Sequence, residues 1–193
     1  MKNSERAAST RANLVLAAAH HFDQHGYDGT TLNSVCAEAN VTLGALTFHF
    51  RCKAILASEV VDEGMGELRR VSTARADTAG PLPELSLLVL RVATALRDSA
   101  LTRAAVRLVQ EGQVASGWLA VFRADVLRLL ERASATGALA AGVRLTTAVR
   151  LIMYVVEGAA TEARRAAAEG VSTDCDFAEI WRVALGGLAA DPG

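Results

Sequence analysis

The chain has 193 residues, a formal net charge of −1, 51% hydrophobic residues and 5% aromatic ones. That length supports one or two domains with a sizeable core, and the near-neutral balance lacks the bulk signature of a nucleic-acid binder. Cys36, Cys52 and Cys175 form no CxxC pair, which argues against a metal centre and for a reducing, cytoplasmic setting, and neither a leader nor an apolar run of about 18 residues indicates secretion or a membrane span.

Ala, Leu, Val and Arg dominate, prolines are few, and no strand-like alternation runs for any useful length, so the chain reads as all-α. Residues 1–9 are polar and frayed. A first helix is predicted from Thr10 to His25, burying Leu14, Val15, Ala18, Ala19 and Phe22, with Gly26 ending it. His20, His21 and His25 are the nearest approach to a metal cluster. Two imidazoles four residues apart without a third ligand make a poor site, so they read as surface histidines.

Residues 30–53, TTLNSVCAEANVTLGALTFHFRCK, predict two short helices joined by a tight turn. Thr30 and Thr31 stand where an N-cap is wanted, and Leu32, Val35, Cys36 and Ala39 share a face. Asn40 tolerates the left-handed conformation that ends a helix, and Thr42 caps the second helix, Leu43 to His49. Only Leu46 and Phe50 read as obligatory core there. The first turn, Leu43-Gly44-Ala45, is small enough to enter a major groove about 12 Å wide. The pattern is that of a helix-turn-helix, with the second helix as the reader. Within residues 1–53, Lys2, Arg6, Arg11, Arg51 and Lys53 outweigh Glu5, Asp23, Asp28 and Glu38 by one charge.

Residues 11–56 resemble the N-terminal domain of the TetR family of repressors. The resemblance rests on Arg11, Gly26-Tyr27, Thr30-Thr31, Val41-Thr42-Leu43-Gly44-Ala45-Leu46, Phe48-His49-Phe50, Lys53 and Leu56. GALTFHFRCKAILA is similar to the form found in γ-butyrolactone receptors of antibiotic-producing actinomycetes. The resemblance implies double-stranded operator DNA as partner, with Arg11, Thr31, Thr42, Leu43, Gly44, Ala45, Thr47, His49 and Lys53 as the contacting set. Thr47 departs from the family, which has a phosphate-contacting tyrosine there. No Arg or Asn of this helix is placed for bidentate base recognition, so base reading falls to Leu43, Gly44 and Ala45 through thymine methyls and shape.

Helix 4 is predicted from Cys52, as N-cap, to Thr73. Lys53 in its first turn opposes the helix dipole, which points to an anionic partner. Gly64 and Gly66 lie inside it and read as softening points. In the family this helix swings when ligand binds and changes the spacing of the two heads. Residues 76–83, ADTAGPLP, are the clearest break. The expected organisation is a helix-turn-helix head at 1–53, a linker helix at 54–75, and a larger helical ligand-binding and dimerisation domain at 76–193.

In that larger part, Leu85, Leu88, Val89, Val92 and Leu96 form one stripe. A short helix from Leu101 to Glu111 carries Val106, Leu108 and Val109. Trp118 opens the next, with Leu119, Phe122, Val126, Leu129, Leu130 and Ala133 inward. Helix 8 spans Leu145 to Glu169, and the last runs from Asp176 to Ala189 with Phe177, Ile180, Trp181, Ala184, Leu185 and Leu188 inward.

RLVQEGQVASGW (107–118) also resembles the γ-butyrolactone receptors, where a tryptophan lines the ligand cavity. Trp118 has two readings, that pocket wall or a plain core residue. Gln110, Glu111, Tyr154, Glu157 and Thr161 are polar residues within apolar stripes. Of these, Gln110, Tyr154, Glu157 and Thr161 join Trp118 as ligand-site candidates, since a buried polar group needs a partner. Small residues close the last two helices, through which the resemblance implies a homodimer.

The reading is thus a ligand-released repressor of the TetR type without cofactor, controlling secondary metabolism, and not an enzyme: no catalytic set or phosphate loop is visible. The alternative is a receptor-like repressor without a butyrolactone ligand, constitutive or answering another small molecule such as an antibiotic.

Overall fold

The computed structural model describes residues 2–74, 80–170 and 177–190. Cys175, Asp176 and part of the 76–83 break lie outside these. The described residues form helices α1 (Lys2–Gly29), α2 (Leu32–Glu38), α3 (Leu43–His49), α4 (Lys53–Thr73), α5 (Pro81–Asp98), α6 (Ala100–Gln110), α7 (Trp118–Ala135), α8 (Leu145–Glu169) and α9 (Phe177–Gly186). One isolated antiparallel bridge, Leu139 to Ala189, is the only β pairing among them.

Two compact units emerge: Met1–Glu67 with Ser99–Ser116, and Leu68–Asp98 with Gly117–Gly193. In the first, α1 begins at Lys2 rather than at Thr10, so residues expected to fray are helical, and its first stretch ends at Gly26 as expected. Gly26 adopts φ 72 and breaks the helix, which then resumes to Gly29. That conformation favours glycine, and the space demands it as well: a Cβ there would meet Glu111 Oε1 at 2.5 Å and Arg107 Nη2 at 2.8 Å.

These contacts belong to the docking of α6 on α1. Asp23 and Arg103, both almost fully buried, form a 2.7 Å ion pair. Arg107 Nη1 donates to the Asp23 carbonyl at 2.7 Å and Arg107 Nε to Glu111 at 2.7 Å. Glu111 Oε2 accepts from the Tyr27 N–H at 2.9 Å. Thr102, Ala104, Ala105 and Leu108 complete the buried face of α6, whereas Val106 and Val109 are only half-buried.

Gly64, read from the sequence as a softening point, sits at a close helix contact. It is buried against α6, where a Cβ would lie 2.5 Å from the Leu101 carbonyl oxygen and 2.6 Å from Ala105 Cβ. The glycine permits close helix approach.

In the second unit α5 is the central element, packed against α7, α8 and α9. Its stripe Leu85, Leu88, Val89, Val92 and Leu96 is buried as expected, as are Phe122, Val126, Leu129, Leu130 and Ala133 of α7. Leu119 and Ile180 are corrections: both are exposed, at 39% and 45%. Each lies beside the tryptophan that takes its helix's buried position, Trp118 or Trp181. Trp181 is held by an Nε1–H bond to Ser86 Oγ at 2.9 Å. The α7–α8 connection is stitched to the segment after α9 by Ala140 N–H to Leu188 O and Ala190 N–H to Ala138 O, each 2.9 Å.

Candidate nucleic-acid interface

The helix-turn-helix forms where the local signals placed it. Thr31 caps α2, its hydroxyl accepting from the Ser34 N–H at 3.1 Å, and Ser34 completes a capping box by accepting from the Thr31 N–H. A cap of this kind contributes about 1 kcal/mol. Asn40 takes φ 52, and Thr42 caps α3 by accepting from the Ala45 N–H at 3.1 Å. Val35, Cys36, Leu46 and Phe50 are buried beneath the pair, and burial pushes the Cys36 thiol above its ordinary range. Glu38 also ties α2 to α1. It meets His20 Nδ1 at 2.6 Å and His21 Nε2 at 3.1 Å, so two of the supposed surface histidines have a structural partner.

Most of the polar contact candidates are engaged within the head. Arg11 pairs with Glu59 at 2.5 Å and Glu63 at 3.6 Å, and its guanidinium lies 5.2 Å from the Phe50 ring centroid. Its hydrogen bond to Glu59 raises the guanidinium pKa further above its ordinary value. Thr47 donates its hydroxyl to the Gly44 carbonyl at 3.1 Å. Lys53 Nζ donates to the Tyr27 and Thr30 carbonyls at 2.9 and 3.1 Å and sits over the Tyr27 ring. His49 is half-buried between the rings of Phe48 and Phe50.

The exposed stripe of α3 is Leu43, Gly44, Thr47 and Phe48, with Ala45 half-buried. Phe48 was not among the sequence candidates, yet it is 82% exposed. Arg51, in the bend after α3, entered the sequence reading as one of the basic residues at the edges of the motif, where phosphates would lie, and not as one of the contacting set. It is exposed, with no hydrogen bond or ion pair among the described residues. The missed signal is helical spacing within α3: 43, 44, 47 and 48 fall on one side, away from the buried Leu46.

The ligand-site candidates do not share one environment. Trp118 is buried and stacks on Phe122 with centroids 5.2 Å apart and planes at 11°. Gln110 is exposed at the end of α6. Tyr154, Glu157 and Thr161 are not interior polar groups: all three are exposed on α8, Tyr154 at 62%. The buried face of that helix is instead Ala148, Val149, Ile152, Met153, Val156, Ala160 and Ala163. Leu151, also exposed, lies on the same side as Tyr154, and Ile180 and Val183 form a comparable exposed apolar face on α9. Among the described residues no helix is long and apolar enough to cross a membrane.

Residues 14–60 match the tetR family of bacterial regulatory proteins. The A-factor receptor protein of Streptomyces griseus is 36% identical over 118 residues, 61% of this chain. The aligned stretch spans only 41% of that protein's own length. A crystal structure of an ArpA-like γ-butyrolactone receptor matches 95% of this chain and 90% of its own, at 26% identity and a TM-score of 0.77. The TetR family protein CprB from Streptomyces coelicolor, in complex with its biological operator sequence, matches 95% and 90%, at 27% identity and a TM-score of 0.72. The N-terminal domain is therefore that of the tetR family of bacterial regulatory proteins, and over its length the chain is γ-butyrolactone-receptor-like.

Proposed function

We propose that this protein is a ligand-responsive transcriptional repressor that binds a palindromic operator as a homodimer. The observation that carries the reading is the capped α2–α3 pair, with its small outward first turn, in a chain whose whole length follows the γ-butyrolactone receptors. A small hydrophobic signal of γ-butyrolactone, butenolide or furan type releases it from DNA, with secondary metabolism as the regulated process. Arg11, Thr31, Thr42, Thr47, His49 and Lys53 then build the head more than they read DNA, and Leu43, Gly44 and Ala45 face the groove.

The exposed apolar faces of α8 and α9, with Gly158 open to a close neighbour, support a dimer through the last two helices. Tyr154, Glu157 and Thr161 belong to that surface in this reading, and Trp118 is the remaining ligand candidate. Trp118 follows the 111–117 loop, whose first residue, Glu111, holds the Tyr27 N–H of the head. A ligand acts only through its difference in affinity for the DNA-competent and released states.

The stacking of Trp118 on Phe122 favours a second reading, in which the core is filled by its own side chains. The protein is then a constitutive repressor, or one answering another molecule such as an antibiotic. A gel shift on the protein's own upstream DNA, titrated with salt and then with butyrolactones, separates the two. Specific, salt-sensitive binding released by butyrolactone supports the first reading, and retention against every butyrolactone supports the second. Failure on that DNA and in a genome-wide selection sinks both.

A further inference from the structure

We infer that Phe48, with Leu43, reads thymine methyl groups in the operator's major groove, and that Arg51 anchors the same head on an adjacent phosphate. The inference rests on the operator-binding reading above. It starts from what the second helix of the motif leaves uncommitted. Thr42 is engaged as the cap of α3, Thr47 bonds back to Gly44, and Lys53 bonds to the 27–30 turn. Arg11 pairs with two glutamates. None of these groups changes partner without releasing an internal one.

What α3 presents instead is apolar. Phe48 is 82% and Leu43 46% exposed, one helical turn and a residue apart on the stripe that also carries Gly44. Gly44 has open space beside it, with Thr42 Oγ1 at 3.8 Å the nearest atom to a would-be Cβ, so it lets the backbone approach a base edge. An apolar side chain has one distinctive target among base edges in the major groove, the thymine C5-methyl. Phenylalanine offers no donor to compete for guanine or adenine edges, so the discrimination is for a methyl and against its absence.

Arg51 lies three residues beyond Phe48, exposed and without an ion pair among the described residues. Its charge complements the phosphate backbone that flanks any groove-bound helix. It takes over the anchoring role that the shortened and internally bonded Thr47 cannot fill.

The test uses the full chain and an operator obtained by selection from a random library. Each thymine is replaced in turn by deoxyuridine, which removes only the methyl. Wild-type affinity should fall about four-fold at one or two positions per half-site, the change expected for loss of one buried methyl-sized contact. In Phe48→Ala that penalty should vanish at the same positions, while overall specific affinity falls about ten-fold or more. Phe48→Leu should keep part of the penalty, which guards against a folding defect in the alanine variant. Arg51→Gln should weaken all sequences alike and reduce the salt slope by about one per head. A deoxyuridine penalty unchanged by Phe48→Ala, or absent in the wild type, overturns the methyl reading. An unchanged salt slope in Arg51→Gln overturns the anchor. Failure of the wild-type protein to select any DNA overturns the operator-binding reading itself, and is thereby distinguished from these.

Discussion

Asp23 of α1 and Arg103 of α6, 80 residues apart in sequence, meet in a 2.7 Å ion pair of which neither side chain is more than 7% exposed. Removing one partner strands the other charge away from water. Asp23→Asn or Arg103→Met should each lower unfolding free energy by about 3–5 kcal/mol. The double replacement Asp23→Leu with Arg103→Met should recover much of the loss. Urea denaturation of the three variants checks this, and a single variant as stable as wild type would refute it.

Gly64→Ala should destabilise by about 1–3 kcal/mol through overpacking against Leu101 and Ala105. On helix propensity alone the same change would stabilise by about 1 kcal/mol. The sign of the shift in melting temperature therefore decides between a spacer and a hinge.

That contrast marks where the sequence was legible. Thr31, Asn40, Thr42, Leu46 and Phe50 were readable because caps, turns and helical periodicity act within a few residues. The docking of α6 was not, because Asp23, Arg103 and Gly64 signal nothing until two distant helices meet. Polarity misled in a similar way. Tyr154, Glu157 and Thr161 looked like interior groups because the flanking positions are so apolar, yet α8 turns its Ala, Val and Ile residues inward and these outward. Arg11 and Lys53 looked available because their partners, Glu59 and the carbonyls of Tyr27 and Thr30, belong to other helices or turns.

Glu63 gives a pH dependence opposite to that of a paired carboxylate. Burial, and then repulsion from Glu59, hold its carboxyl above its ordinary range, with Arg11 opposing. The folded state therefore binds this proton more tightly than the unfolded state. Its ionised form opposes folding at neutral pH, and this opposition fades as pH falls through the raised titration toward about 4. Glu63→Gln should melt higher than wild type at pH 7, with the gap closing on acidification. A variant that melts lower at pH 7 would contradict this.

Cys36 and Cys52 should differ in reactivity. The first is buried with its thiol pushed up, and the second is exposed. Iodoacetamide at neutral pH, followed by peptide mass mapping, should label Cys52 in minutes. Cys36 should be labelled only as the head opens, because the thiolate is the reacting species.

If α8 and α9 form the dimer, Val183→Glu, at a position 66% exposed, should sediment as a folded monomer that has lost operator affinity. Val121→Glu on α7, 58% exposed, should remain dimeric. A dimeric Val183→Glu would move the interface elsewhere.

The internal bonding of the head has an evolutionary consequence. Thr31, Thr42, Thr47, Arg11 and Lys53 hold the head together through side-chain bonds whatever DNA is present, while the side chains of Leu43, Phe48 and Arg51 cap no helix and close no turn, and Gly44 lends only its carbonyl. Scaffold and reading surface are thus separate sets of codons. A duplicated copy could drift at the second set and acquire a different operator without passing through an unfolded ancestor.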